Sequence, residues 1–163
     1  MEILLLIFPL LNFLIFQFFN QKIRPEFLYV LNTFLLGFTF ILSLYIFIKI
    51  LNLDKDLPLF FYSLIKFDSL FVDWTLRFDL LVSVLIILVT FIGLLLIIYS
   101  IGISKNHSIN FKINSYISFS IFGVLVLICS NNLIQFFLGW YLIILSSYLI
   151  SDVSKNKPTH FAV

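Results

Sequence analysis

Hydroxyl groups are the main side chains capable of chemistry in the apolar stretch of residues 139–150. This stretch reads GWYLIILSSYLI and contains Tyr141, Ser146, Ser147 and Tyr148. A hydroxyl in lipid can bond a neighbouring helix, anchor an aromatic ring at the membrane surface, or link a proton path without titrating at pH 7. All three roles remain open for these residues. The same alternatives apply to Tyr99 and Tyr116, and Gln135 is a further polar candidate.

Other types of site have no support in the sequence. His107 and His160 lie far apart, with no Cys or carboxylate at a metal-ligand spacing. No glycine-rich phosphate loop and no nucleophile–base pair occurs. The single cysteine, Cys129, fits a small buried side chain. We therefore expect neither a metal site nor a catalytic residue in this chain.

The composition indicates a membrane protein. Of 163 residues, 62% are hydrophobic, 19% aromatic and 11% charged, which is more apolar surface than one soluble core can hide. A net charge of +2 gives no reason to expect nucleic acid as a partner. The sequence contains 22 phenylalanines but one alanine, Ala162. That bias indicates an AT-rich genome, such as that of an organelle.

Charged residues divide the chain into four windows, and a membrane helix needs about 20 apolar residues. The fourth window breaks at Ser130-Asn131-Asn132, a polar cluster that favours a turn. The windows predict an all-α integral membrane protein with about five transmembrane helices, at roughly 3–20, 27–49, 80–103, 113–130 and 132–151. The first predicted helix lacks the basic segment and the cleavage site of a signal peptide, so we expect it to be retained in the protein.

Orientation follows from the positive charges of the connections. With five helices, the connections after the first, third and fifth fall on one side and carry Lys22, Arg24, Lys105, Lys112, Lys155 and Lys157. That side is predicted to be the inside, with the N-terminus outside.

The connection between the second and third helices alternates apolar and polar residues at 65–68 and again at 72–79. This period predicts a small extramembrane β-hairpin that turns at Asp68-Ser69, although a loop with accidental alternation is the other possibility. The predicted organisation is two helices in 1–51, the outer connection in 52–79, three helices in 80–151, and an inner tail in 152–163.

Residues 129–150, CSNNLIQFFLGWYLIILSSYLI, resemble the signature of subunit 5 of mitochondrial NADH:ubiquinone oxidoreductase, respiratory complex I. Phe78-Asp79, at the start of a helix that ends in Tyr99-Ser100, resembles the same family. The signature matches are Asn132, Gln135, Phe137, Gly139, Trp140, Ser147, Tyr148, Leu149 and Ile150. Gln135 and Trp140 are expected to serve packing and the membrane interface.

The resemblance implies the N-terminal portion of an antiporter-like membrane-arm subunit, which contributes to proton translocation coupled to NADH:ubiquinone electron transfer. It places the chain in the mitochondrial inner membrane, with the N-terminus toward the intermembrane space and the C-terminus toward the matrix. FMN, iron–sulfur clusters and ubiquinone would belong to other subunits. The partners would be membrane lipids, other membrane-arm subunits and a second chain that carries the rest of a split subunit.

Two positions depart from the family pattern. Tyr141 stands where the family has a glutamate after Gly-Trp, and Ile144 stands where it usually has glycine. A buried carboxylate would mark a proton route, whereas tyrosine, with a reference pKa of about 10, holds no charge at pH 7. The resemblance therefore makes Tyr141, with Ser146, Ser147 and Tyr148, a candidate for a proton path.

Two other functions remain open. A purely structural or assembly subunit also accounts for predicted helix interiors that contain no ionisable residue, but it does not account for the register of the signature. A self-sufficient cation/proton antiporter would need buried ionisable groups, which the predicted helix interiors lack.

Overall fold

Five helices and one pair of strands make up the part of the chain that the structure describes. The computed structural model describes residues 2–19, 25–53, 57–67, 70–103 and 107–155. The elements are α1 (Glu2–Phe19), α2 (Pro25–Leu53), β1 (Leu57–Phe67), β2 (Leu70–Phe78), α3 (Leu80–Ile103), α4 (His107–Ile128) and α5 (Leu133–Lys155). The predicted turn Asp68-Ser69 lies outside the described residues, as do His160 and four of the cations used for orientation, Lys22, Arg24, Lys105 and Lys157.

Helices α1 to α4 form a bundle in which α1 contacts α2, α2 contacts α3, α3 contacts α4, and α4 contacts α1. Apolar side chains of all four helices, together with Leu76 and Phe78 of β2, make one core. Helix α5 lies outside this bundle and packs mainly against α4. It contributes no buried side chain to the main core among the described residues.

The described residues contain fewer helices suited to crossing a membrane than the five that the sequence predicts. Among the described residues, three helices are long and apolar enough to cross a membrane, within Phe27–Asn52, Leu80–Gly102 and Leu133–Val153. The described parts of α1 and α4 contain shorter apolar helices, Glu2–Phe18 and Lys112–Ile128. The difference arises because the prediction counted charge-free windows, whereas a span needs about 20 apolar residues within one helix.

Strands β1 and β2 pair antiparallel, with Leu57 opposite Phe78 and Phe67 opposite Leu70. The end of β2 is fixed to the turn between α4 and α5, because Arg77 N donates to Cys129 O at 3.0 Å and Asn131 Nδ2 donates to Thr75 Oγ1 at 3.0 Å. Asp79 then caps α3, since its Oδ1 accepts a hydrogen bond from Val82 N at 2.7 Å.

Candidate functional site

The signature residues around the start of α5 have structural roles that the geometry explains. Asn132 occupies the N-cap position, because its carbonyl accepts the first helical hydrogen bond, from Phe136 N at 3.0 Å. Gly139 faces the backbone of α4. A Cβ at position 139 would lie 2.7 Å from Leu127 N and 2.8 Å from Leu127 Cα, so any larger residue would push the two helices apart.

A second glycine extends this close contact toward the other end of α5. A Cβ at Gly123 of α4 would lie 3.1 Å from Leu142 Cβ and 3.3 Å from Ile143 N. The two glycines, one on each helix, let α4 and α5 approach at two levels. The Gly-Trp motif therefore contributes its glycine to helix packing, while Trp140 is exposed and stacks on Phe136 with ring centroids 6.3 Å apart.

The four candidates for a proton path are divided between opposite sides of α5. Tyr141 is 63% exposed and Tyr148 is also exposed, and neither hydroxyl bonds a described residue. Ser146 is fully buried and donates to Ile143 O at 2.7 Å, and the exposed Ser147 donates to the same carbonyl at 2.9 Å. The structure does not bring the four hydroxyls together into one connected chain.

The outer side of α5 carries a continuous apolar and aromatic surface, which we call the α5 stripe. Its members are Phe137, Tyr141, Ile144 and Tyr148, all exposed and spaced by four, three and four residues, so they follow one face of the helix. The predicted candidates Tyr141 and Tyr148 thus belong to this outer face. The remaining tyrosine candidates are Tyr99, which is exposed on α3, and Tyr116, whose ring contacts Phe13.

Gln135, a signature residue, is the polar exception on α5. Its side chain is only 3% exposed, and neither its Nε2 nor its Oε1 has a hydrogen-bond partner among the described residues. A buried amide that lacks partners is costly.

The most polar part of the interior lies elsewhere, between α1, α2 and α4, and sequence reasoning missed it. Its members, which we call the amide cluster, are Asn12, Asn32, Asn114 and Ser118, and all four are buried. Asn12 Nδ2 donates to Asn32 Oδ1 and also to Ser118 Oγ, the latter at 3.2 Å. Ser118 Oγ in turn donates to the backbone carbonyl oxygen of Asn114 at 3.1 Å, one helical turn earlier.

The cluster is held in place by the packing of α1 on α4, where Ser115 Oγ donates to Phe13 O at 3.3 Å. The signal that could have revealed it was present in the sequence. Single asparagines in apolar helices are expensive in a membrane and almost always face a protein interior. Each lies in a window whose average hydropathy hides it, and the candidates drawn from the sequence were hydroxyls and Gln135 instead.

Charged side chains in the described helices are found near the helix ends. Lys49 Nζ and Glu2 Oε1 lie 2.6 Å apart and join the end of α2 to the start of α1. Arg77 and Asp79 form a second pair, 3.5 Å apart, at the end of β2. Among the residues that the structure describes, no group of three or more His, Cys, Asp or Glu side chains could hold a metal ion.

Comparison with known proteins gives one consistent result. The chain is 34% identical to NADH-ubiquinone oxidoreductase chain 5 of Acanthamoeba castellanii, across 100% of this chain and 25% of the relative. It is 31% identical to the chain 5 of Chondrus crispus, across 92% of this chain and 22% of the relative. NADH-quinone oxidoreductase subunit L of Rickettsia typhi is 28% identical across 96% of this chain. The chain thus spans about a quarter of the length of these relatives. No family model matches it.

Proposed function

Because the chain belongs to the family of NADH-ubiquinone oxidoreductase chain 5 and the bacterial subunit L, we propose that it is a membrane-arm component of respiratory complex I. In this role it forms part of the scaffold for proton translocation coupled to NADH:ubiquinone electron transfer. The observation that carries the proposal is the similarity along the whole of this chain. The close contact of Gly139 with α4 supports it, since it gives a physical reason for the glycine of the signature.

The proposed topology places the N-terminus toward the intermembrane space and the C-terminus toward the matrix. The Glu2–Lys49 pair supports it by joining the start of α1 to the end of α2. The contact of Arg77 with Cys129 supports it as well, because it joins the strand pair to the turn after α4. These regions share one end of the bundle, which is the arrangement expected if the strand pair lies outside the membrane.

The proposed partners are other membrane-arm subunits and the remainder of a chain-5-like protein, on this polypeptide or on a second one. The α5 stripe supports this, because α5 packs against α4 on one side and is exposed on the other. Tyr141 and Tyr148 would then face this partner, where Tyr141 could take part in a hydrogen-bonded proton path. Electron carriers such as FMN, iron–sulfur clusters and ubiquinone would be bound by other subunits.

The test is co-purification from native membranes. An affinity-tagged chain extracted in mild detergent is expected to carry NADH dehydrogenase activity through the affinity step. The Gly102→Ala variant should behave in the same way, because nothing lies within 4 Å of a Cβ at that position. The Gly139→Leu variant should lose the activity, because α5 can no longer seat on α4. Isolation of the unmodified chain in a stable assembly without NADH dehydrogenase activity would refute the proposal.

A second candidate is a structural or assembly subunit of the same complex with no role in pumping. It is favoured by the chemistry of the described interior, where the polar groups between helices are amides and hydroxyls and the Glu2–Lys49 pair lies at helix ends. Neutral groups of this type hold helices together but do not take up charge. A lowered ratio of protons moved to electrons transferred in Tyr141→Phe, with quinone reduction intact, would exclude this second candidate.

A further inference from the structure

The amide cluster leaves buried polar atoms of both kinds without partners among the described residues. Asn12 Oδ1 and Asn114 Oδ1 are acceptors with no donor, and Asn32 Nδ2 and Asn114 Nδ2 are donors with no acceptor. Turning the Asn12 and Asn32 amides by 180° would exchange their nitrogen and oxygen atoms, but it would leave one atom of each unpaired. The deficit is therefore a property of the residues and not of one amide orientation.

Asn12, Asn32 and Ser118 are in direct contact, and the spacing of α4 places Asn114 next to Ser118. Asn12 and Asn32 are bonded to each other, and Ser118 Oγ lies 3.5 Å from Asn32 Oδ1. Asn114 is one helical turn before Ser118, on the same face of α4, and is fully buried. A buried amide without a partner costs about 1–3 kcal/mol, so several in one place call for a ligand that the protein groups do not themselves provide.

The chemistry of the unpaired atoms selects the ligand. A cation would bind the two unpaired side-chain amide oxygens, but the amide N–H groups would then point at a positive charge. An anion would bind the N–H groups, but the amide oxygens would then face a negative charge. Water both donates and accepts, and buried water typically makes about three hydrogen bonds to otherwise unsatisfied groups. Water is also neutral, so placing it inside an apolar bundle avoids the free-energy cost of burying a charge.

We propose that Asn12, Asn32, Asn114 and Ser118 form a binding site for a small group of ordered water molecules between α1, α2 and α4. The site is closed along the helices by apolar side chains. Phe16, one turn after Asn12, is 1% exposed, and Leu36, one turn after Asn32, is fully buried. The water is therefore flanked along α1 and α2 by apolar side chains. This proposal does not depend on the complex in which the chain resides.

Electron cryo-microscopy of the intact assembly, purified through a tag on this chain, tests the site directly. Water is expected as density about 2.7–3.2 Å from both the nitrogen and the oxygen of the Asn114 amide. The density should persist when sodium and potassium are replaced by choline. A void at this position, or direct protein partners for Asn114, would overturn the proposal. Density that contacts only oxygens and disappears in choline would indicate a cation and would overturn it too.

Hydroxyl-radical footprinting gives a second, independent test, because bound water yields radicals next to rings that bulk solvent does not reach. Phe16 should be modified several-fold faster than Phe78, a ring that is equally buried at the end of β2. Asn114→Leu should reduce the Phe16 rate to that of Phe78. Ser146→Ala is the matched control, because that buried hydroxyl already bonds Ile143 O, and it should change neither rate. Equal rates for the two rings in the unmodified protein would refute the proposal.

Discussion

The bundle of α1 to α4 and the contact of α4 with α5 join helices by two different means. Inside the bundle, side chains form hydrogen bonds between helices, with Asn12 bonding Asn32 and Ser118, and with Ser43 Oγ lying 3.2 Å from Thr90 Oγ1. Between α4 and α5, Gly139 and Gly123 allow close approach of the helices. The difference indicates that the bundle tolerates changes of shape better than α5 does, and that α5 tolerates loss of a polar group better than the bundle does.

The largest expected effect is at the junction of the two regions, where Cys129 lies in the turn that follows α4. Burial raises the pKa of the Cys129 thiol from 9.0 to about 12, which leaves far less thiolate at pH 8. Maleimide should therefore modify Cys129 far more slowly than an exposed thiol. The matched control is Asn131→Cys in a Cys129→Ser background, since position 131 is exposed in the same turn.

The same pKa shift predicts a loss of stability in alkali. The folded state holds the thiol proton more tightly than the unfolded chain does, so the contribution is complete below pH 9 and declines as the pH rises from 9 toward 12. Cys129→Ser should remove this part of the pH dependence. Rapid labelling of Cys129 at pH 8 in the intact assembly would show that the turn between the bundle and α5 opens readily.

Substitution of Gly139 tests close packing as the means that holds α5. In Gly139→Ala the new Cβ would meet the backbone of Leu127 at 2.7 Å, and backbone cannot move aside as a flexible side chain can. We expect a loss of about 3 kcal/mol, at the upper end of overpacking effects, measured by unfolding of the assembly in SDS–detergent mixtures.

Gly93→Ala is the informative control for that prediction. Its Cβ would also be too close to a neighbour, 2.5 Å from Cδ1 and 2.9 Å from Cγ1 of Ile121, but side-chain atoms can shift more readily than backbone. The loss should be distinctly smaller than for Gly139→Ala. Equal losses would mean that the α4–α5 contact is no more restrictive than the packing inside the bundle.

Substitution of Asn12 tests polar bonding as the means that holds the bundle. Asn12→Leu removes the bonds to Asn32 and Ser118, and hydrogen bonds between membrane helices are worth about 0.6 kcal/mol on average and up to about 1.7. We expect a loss of about 1 kcal/mol in the same SDS titration. Asn131→Leu also removes an amide, one that bonds Thr75 at an exposed position, and should cost less because water can replace the bond.

Much of the fold could be predicted from the sequence because charge is expensive in lipid. The windows without charge placed all five helices, and the Ser130-Asn131-Asn132 break agrees with the gap between Ile128 and Leu133. The helix ends were less accurate. Helix α4 begins at His107 and includes Lys112, and α5 continues through Asp152, because a helix continues beyond the apolar segment into polar surroundings.

The candidate site was harder to predict because its atoms meet only in three dimensions. Asn12, Asn32 and Asn114 lie on three helices, and nothing in their spacing along the chain indicates that they converge. The signature did single out Gly139, but its close approach to Leu127 becomes visible only when α4 and α5 are placed side by side. The sequence therefore indicated residues of the α5 stripe, whereas the amide cluster became visible only in the structure.

The smallest expected effect concerns Tyr141, where the comparison between the two regions becomes a question of function. Tyr141→Phe removes a hydroxyl that bonds no described residue on a side chain that is 63% exposed, so the change in stability should stay below about 0.5 kcal/mol. In the proposed complex, the ratio of protons moved to electrons transferred, measured in proteoliposomes, should also be unchanged. Tyr148→Phe is the matched control, because it lies two turns away on the same α5 stripe. If Tyr141→Phe alone lowered coupled proton flux while quinone reduction persisted, its hydroxyl would be a link to a partner, and α5 would join its neighbour by the polar means seen within the bundle. An unchanged ratio in both variants would leave the α5 stripe as an apolar contact surface, distinct in kind from the amide cluster.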